Sequence, residues 1–217
     1  MITKKDNACI LNKKRMSFFA APITNKVPSK ITLNLFLLWD LIKSEEYRLD
    51  ITMLRKIADA KAKRLYKGIH LPYVTIRGTF SYCSDDKLIE PTKIIDIDLD
   101  HLGDQREELF TSLLADPLLE PLLLFRSPTD GLKLVIENTV EGDPAEASRL
   151  MYTAVRNYML ATYNLSGDQV DPHCGNISRP CYLSWDPRAF LHPDFHVPSC
   201  EPLNEPLPSV NEWLRGL

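Results

Sequence analysis

Three aspartates alternate with apolar residues in the segment Ile94-Ile-Asp-Ile-Asp-Leu-Asp100. This period of two predicts a β-strand with Asp96, Asp98 and Asp100 on one face. Like charges on one strand face repel each other, and sequences accept such a conflict mostly at functional sites. Carboxylate oxygens are the ligands that Mg²⁺ and Mn²⁺ prefer. The strand therefore indicates a divalent-metal site. The alternative is a solvated acidic edge strand, although the apolar neighbours favour a buried strand.

A second segment, residues 126–134, combines a turn with a lysine. The turn Pro128-Thr-Asp-Gly131 is followed by an alternating strand that carries Lys133. A lysine directed inward beside such a turn can bind a phosphate group, and the hydroxyl of Ser127 can donate a hydrogen bond to another phosphate oxygen. The alternative is a surface lysine on an ordinary hairpin.

A third segment runs from Asp171 to Asp186 and is rich in turn-forming residues. Arg179 precedes a short strand in this segment and can bind a phosphate group in a bidentate manner. The alternative is a structural loop that is closed by an Arg–Asp ion pair.

A zinc site is a competing hypothesis, because histidines and cysteines crowd towards the end of the chain. His192-x3-His196 has the spacing of a helical zinc site, but Pro193 interrupts that helix and no Cys-x2-Cys pair occurs. Reduced core cysteines and loop histidines are the preferred interpretation of the set His173, Cys174, Cys181, His192, His196 and Cys200.

The elements that must position these residues are a mixture of strands and helices. Apolar periodicity and cap signals predict helices over 35–42, 51–66, 104–115 and 144–163, and strands over 16–23, 73–80, 94–100 and 181–185. Residues 122–137 read as a hairpin. Strands and helices do not alternate strictly along the chain, and a hairpin lies among them, which favours an α+β fold. We expect the acidic strand to lie near the centre of a sheet of about four to six strands.

Composition sets the outer limits. The chain has 217 residues and a net charge of −3, so any contact with nucleic acid must come from a local basic patch. No apolar run is long enough to span a bilayer. Five cysteines without framework spacing suit a cytoplasmic protein with reduced thiols. We expect a flexible arm over 1–15, one domain over 16–195 and a proline-rich tail over 196–217.

In this order, the segments resemble the VirE-associated N-terminal domains of bacterial mobile-element proteins, which precede primase-type or helicase-like modules. Those domains are similar to primase–polymerases of the archaeo-eukaryotic primase superfamily, whose sheet is RRM-like. The resemblance covers about residues 16–195 and rests on Met16-Ser-Phe-Phe, Leu71–Phe80, Ile95–Leu102, Ser127…Gly131-Leu-Lys133 and Ser178–Pro187.

The resemblance implies a metal-dependent nucleotidyltransferase that acts on DNA during replication of a mobile element. Two Mg²⁺ or Mn²⁺ ions would be held by Asp96, Asp98 and Asp171, with Asp186 as the second choice for the third acid. The nucleoside triphosphate would be bound by Ser127, Gly131, Lys133 and Arg179. Lys133 stands where the superfamily usually has His, and Asp130 adds negative charge to the turn. The DNA template would contact a patch formed by Arg55, Lys56, Lys61, Lys63, Arg64 and Lys67.

Two other functions remain open at this stage. The first is a catalytically silent domain that binds nucleic acid or serves as an adaptor for a helicase or ATPase module. The second is a metal-dependent nuclease, which would use the same carboxylates.

Overall fold

The structure is a computed structural model, and it describes residues 11, 13–172 and 174–196. Apart from His196, the predicted C-terminal tail lies outside the described residues, as does most of the predicted N-terminal arm. Leu11, within the predicted arm, is buried in a hydrophobic core. Within the described residues, no helix is long and apolar enough to cross a membrane.

The described part of the chain has an α+β fold, as the sequence predicts. Five α-helices lie wholly within the described residues: α1 Leu35–Lys43, α2 Arg48–Lys56, α3 Ala60–His70, α4 Arg106–Leu114 and α5 Pro144–Thr162. The strands are β1 Met16–Phe19, β2 Thr32–Leu33, β3 Tyr73–Thr75, β4 Gly78–Phe80, β5 Leu88–Pro91, β6 Ile94–Leu99, β7 Leu123–Arg126, β8 Leu132–Glu137, β9 Cys181–Tyr182 and β10 Phe190–Leu191.

The strands form three antiparallel sheets. Their orders are β2-β1-β3-β9, β10-β7-β8-β6 and β4-β5. The second of these, here called the central sheet, is covered on both faces. One face packs with α1, α2 and the first sheet around residues such as Leu38 and Val135. The other face packs against α4 and α5 around residues such as Leu134 and Met159. Side chains that alternate along β6 and β8 therefore enter two different layers.

Two elements that the sequence predicts as continuous are each divided into two in the structure. The helix predicted over 51–66 is two helices, because Ile57 is extended and Asp59 starts a new helix by accepting a hydrogen bond from the Ala62 N–H at 2.7 Å. The strand predicted over 73–80 is β3 and β4, separated by a turn at residues 76 and 77. In both cases a local turn interrupts a hydrophobic pattern that continues across it.

The acidic strand β6 lies at an edge of the central sheet, so its predicted position near the centre is wrong. The edge is nevertheless covered. The Arg77 guanidinium donates to the Asp96 carbonyl at 2.9 Å, and the Asp100 N–H donates to the Gln169 carbonyl at 3.0 Å. Edge strands in native proteins are commonly protected in this way, and the cover explains why the strand is buried as predicted.

Candidate functional site

A cavity of about 740 Å³ opens at the end of β6, between the central sheet and α3. Its volume is within the range of small-molecule sites. Half of the residues that line it are charged. The basic ones are Lys26, Lys63, Arg64, Lys67, Lys133 and Arg179, and the acidic ones are Asp98, Asp100 and Asp171. The cavity thus collects five of the seven site residues predicted from the sequence, namely Asp98, Asp171, Ser127, Lys133 and Arg179.

The floor of the cavity is a pair of residues on neighbouring strands. Asp98 on β6 stands opposite Lys133 on β8, and the Lys133 Nζ lies 2.8 Å from the Asp98 Oδ2. Lys133 is only 4% exposed. Burial alone lowers the pKa of this ammonium, but the neighbouring Asp98 outweighs that effect and holds the pKa above its usual value. Lys133 is therefore a fixed positive charge.

Asp98 has an unused acceptor. Its Oδ1 atom is buried and has no hydrogen-bond partner in the described part of the chain. Asp100 follows on the same side of the chain and also lines the cavity. Burial and the neighbouring Asp98 raise the pKa of the Asp100 carboxyl. Together, Asp98 and Asp100 can bind a cation from solution in addition to the Lys133 ammonium.

The turn before β8 is held by hydrogen bonds between its ends. The Ser127 N–H donates to the Gly131 carbonyl at 2.9 Å, and the Gly131 N–H donates to the Ser127 Oγ at 2.9 Å. A Cβ on Gly131 would lie 1.9 Å from the Leu99 carbonyl oxygen, so glycine is required by the close approach to β6. Gly131 is not among the cavity-lining residues. Asp130 forms ion pairs with Arg106 and Arg126, so its negative charge is balanced.

The loop before β9 brings Asp171 and Arg179 to the wall facing the floor. Their side chains form an ion pair, with 3.0 Å between Arg179 Nη2 and Asp171 Oδ2. The Cys174 thiol donates to the same oxygen at 3.0 Å. Burial and this hydrogen bond raise the pKa of the thiol to about 12, so it stays protonated. The loop is closed by an Arg–Asp pair, as one alternative in the sequence analysis expected, and both partners also line the cavity.

Helix α3 supplies the most basic wall. Lys63, Arg64 and Lys67 line the cavity. Lys67 Nζ lies 5.0 Å from the ring centroid of Tyr182, an aromatic residue of the same cavity. Of the other residues in the predicted DNA patch, Lys56 and Lys61 are exposed. Arg55 is used inside the protein, where it donates to the carbonyls of Ser127 and Trp185 at 2.9 and 3.1 Å.

Two predicted acids lie outside the cavity wall. Asp96 is 3% exposed, and its Oδ1 accepts from Arg77 Nε at 3.0 Å. Asp186 is also buried and accepts from the backbone N–H groups of Arg126 and Arg188 at 2.8 and 3.0 Å. Arg77 was missed by the sequence analysis, as were Lys26 and Tyr182 as site residues, and Asp100 was placed on the acidic strand face but not assigned as a ligand. Asp100 could have been predicted as a site residue from the sequence, because it repeats the two-residue spacing of Asp96 and Asp98.

Metal-binding side chains do not form a closed cluster. Within the ranges the structure describes, no three histidine, cysteine or acidic side chains lie close enough together to hold a metal ion alone. Cys174 hydrogen-bonds Asp171, and Cys181 is buried with a pKa raised to about 12, chiefly by that burial. His173 and Cys200 lie outside the described residues.

The sequence matches the model of a known protein family. The model of the BT4734-like, N-terminal domain family matches residues 68–191, more than half of the chain. The matched range contains β6, the turn before β8 and the loop with Asp171 and Arg179, whereas the basic residues of α3 that line the cavity precede it. No curated protein and no solved structure matches the chain.

Proposed function

The chain belongs to the BT4734-like N-terminal domain family, and we propose that it is a nucleotidyltransferase of the primase–polymerase type that binds a nucleoside triphosphate in the charged cavity. It would act on DNA in the cytoplasm, during replication of a mobile element. The similarity to VirE-associated and primase–polymerase domains is part of this proposal. The observation that carries it is the charge pattern of the cavity wall.

Basic side chains outnumber acidic ones in the wall of the cavity. Lys133 and Arg179 are paired with Asp98 and Asp171. Lys26, Lys63, Arg64 and Lys67 form no ion pair with any described residue, and all four line the cavity. A triphosphate carries several negative charges and strong acceptor oxygens, so it offsets this surplus. The Lys133–Asp98 pair, with Lys133 buried, adds a positive charge that is already in place when the ligand enters.

The acids of the floor fit a divalent cation. Mg²⁺ in phosphate-transfer sites is commonly bound by one or two carboxylates together with substrate phosphates and water, so a closed three-acid cluster is not required. Asp98, whose buried Oδ1 has no hydrogen-bond partner among the described residues, and Asp100 provide two such carboxylates. When bound, Mg²⁺ or Mn²⁺ would supply Lewis-acid stabilisation of phosphoryl oxygens. Lys133 would hold Asp98 in place, and Arg179 would bind phosphate oxygens.

A second candidate function is favoured by the state of Asp96. Because its carboxylate is paired with buried Arg77, one acid of the Asp-x-Asp motif is already occupied. A catalytically silent domain that binds nucleic acid and recruits a helicase or ATPase module would use the same basic wall without needing a metal. The two functions differ in whether a bond to a nucleotide is formed.

Nucleotide incorporation separates these functions. We expect the protein to extend or initiate labelled DNA on a single-stranded template with deoxynucleotides and Mn²⁺, and to lose this activity in the double variant Asp98→Asn/Asp100→Asn. Lys63→Gln/Lys67→Gln should weaken binding of both dATP and DNA, with a smaller salt dependence for DNA. Lys87→Gln is the matched control, since Lys87 is exposed and outside the cavity.

Each other result has a defined meaning. DNA binding without incorporation under any metal supports the adaptor function. Shortened oligonucleotides in place of extended ones indicate a nuclease. Failure of the wild-type protein to bind either dATP or DNA at low salt contradicts the proposed site.

A further inference from the structure

We infer that Arg77 is a positioning residue for the cavity: paired with Asp96, it fixes the segment 174–179 that connects Asp171 to Arg179. This inference rests on the proposed function for its consequence in ligand binding. Its structural part, that one buried guanidinium anchors the segment, stands independently. It also gives Asp96 a role other than holding a metal ion.

The hydrogen bonds of Arg77 use every donor of its side chain. Nε donates to the Asp96 carboxylate at 3.0 Å, and Nη2 donates to the Asp96 and Cys174 carbonyls at 2.9 and 2.7 Å. Nη1 donates to the Ser148 hydroxyl at 2.9 Å and to the Asn176 carbonyl at 3.1 Å. A guanidinium has five N–H groups, so the set is complete. Arg77 thus joins β6, α5 and the 174–179 segment.

The burial of this group shows why Asp96 must be an acid. The Arg77 side chain is 1% exposed and the Asp96 side chain is 4% exposed. A buried guanidinium without a counter-charge is strongly unfavourable, and among the described residues only Asp96 forms an ion pair with Arg77. The aromatic ring of Tyr152 packs 5.5 Å from the guanidinium carbon and closes the remaining side. The pair is therefore rigid and shielded from solvent.

The anchored segment reaches the cavity through Cys174. Its carbonyl accepts from Arg77, while its thiol donates to Asp171 Oδ2, the oxygen that also binds Arg179. A shift of this segment therefore moves both cavity residues at once. Small displacements of binding groups reduce affinity and rate considerably, since both depend on preformed geometry.

The test compares Arg77→Lys with a variant that is destabilised at a residue that does not hydrogen-bond Arg77. Lysine keeps the charge next to Asp96 but has three donors on one atom, so it cannot hold Asp96, α5 and both carbonyls together. Val155→Ala is the control, since Val155 is buried in the core under α5. Amide hydrogen exchange of residues 174–179 and the Kd for dATP with Mn²⁺ are measured well below each melting temperature.

We expect Arg77→Lys to speed exchange in residues 174–179 and to weaken dATP binding by about tenfold or more. Val155→Ala should lower the melting temperature while leaving both readouts as in the wild type. The inference is overturned if folded Arg77→Lys matches Val155→Ala in both. If wild-type protein binds no dATP but Arg77→Lys still speeds the exchange, the anchor is supported and the proposed function fails.

A second variant keeps the test open should Arg77→Lys not fold. Cys174→Ala removes the thiol donor to Asp171 but leaves the carbonyl that Arg77 binds. We expect wild-type exchange in residues 174–179 together with weaker dATP binding. Wild-type dATP affinity in this variant would break the connection between the anchored segment and the cavity, and would overturn the inference.

Discussion

Asp96, Asp98 and Asp100 alternate along one stretch of chain, yet each carboxylate meets a different environment. Asp96 is buried against Arg77, Asp98 pairs through one oxygen with Lys133, and Asp100 has no ion pair among the described residues. The repulsion expected between the three carboxylates is thus reduced by the positive side chains of Arg77 and Lys133. The alternating pattern identified the important strand, but it could not assign a role to each acid.

The first prediction concerns Asp96→Asn. Like-charge repulsion alone predicts that removing a charge stabilises the protein, but the structure predicts the opposite, because Arg77 would lose its counter-charge. We expect a loss of about 3–5 kcal/mol in the free energy of unfolding, measured by urea denaturation at neutral pH. Asp104→Asn is the control, since Asp104 is exposed. A higher midpoint in Asp96→Asn, with loss of a Mn²⁺ response, would restore Asp96 as a metal ligand.

The second prediction concerns Gly131, which the sequence analysis assigned to nucleotide binding. A methyl group at this position would collide with the Leu99 carbonyl oxygen, at 1.9 Å from the ideal Cβ. Gly131→Ala should therefore cost about 1–3 kcal/mol of stability through forced backbone displacement. Urea denaturation measures the loss, and Gly103→Ala is the comparison: no atom beyond its chain neighbours lies within 4 Å of its Cβ position, so only the strain of its positive φ acts there. Equal stability of Gly131→Ala and the wild type would contradict this role.

Among the elements, those with strong local signals were predictable from sequence. Asp143 caps α5 by accepting from the N–H groups of Ala145 and Glu146, as the Asp-Pro start indicates. The hairpin of β7 and β8 follows its turn residues. The break between α2 and α3 was not anticipated, because apolar spacing continues across Asp59. The edge position of β6 and the pairing of Arg77 depend on contacts between residues distant in sequence, which local periodicity does not encode.

The third prediction concerns Asp116, which connects the end of α4 to the end of α5. Its carboxylate accepts from the Leu118 and Leu119 N–H groups at 2.8 and 3.0 Å and from the hydroxyls of Tyr158 and Tyr163. Burial opposes ionisation, but these hydrogen bonds outweigh it and hold the pKa of Asp116 below its usual value.

The stabilisation that the ionised Asp116 carboxylate gives the folded state is therefore fully present above about pH 3.9, the pKa of an aspartate in the unfolded chain. It is lost as the pH falls through the lower pKa of the folded state. Asp116→Asn should cost about 1–3 kcal/mol at pH 6, with a smaller cost below pH 3.9. Urea denaturation between about pH 2 and 6 measures both values. A cost that is constant over this range would show that the charge of Asp116 contributes nothing.

At the scale of the whole molecule, the central sheet belongs to two hydrophobic cores. Val135 faces the core with α1 and α2, and the adjacent Leu134 faces the core with α4 and α5. Because neither core can lose its packing without exposing the sheet that supports the other, the described part of the chain should unfold cooperatively.

The fourth prediction follows from this shared sheet. Leu38→Ala in one core and Met159→Ala in the other should each cost about 2–5 kcal/mol, since both side chains are 0% exposed. In each variant, tryptophan fluorescence and far-UV circular dichroism should give the same urea midpoint. Leu150→Ala is the control, because this residue of α5 is 54% exposed. Separate midpoints for the two signals would show that the cores unfold independently.

The covered edge of β6 also opposes aggregation of this protein through pairing of strand edges. An open strand edge with alternating isoleucines can recruit the same strand of a second molecule and seed aggregation. Here the outer carbonyl of Asp96 is already bound by Arg77, and the end of the strand is bridged to Val170. The Arg77 guanidinium that pairs with the Asp96 carboxylate thus also occupies a backbone acceptor on the outer edge of β6, so that a second strand cannot pair at this position without displacing it.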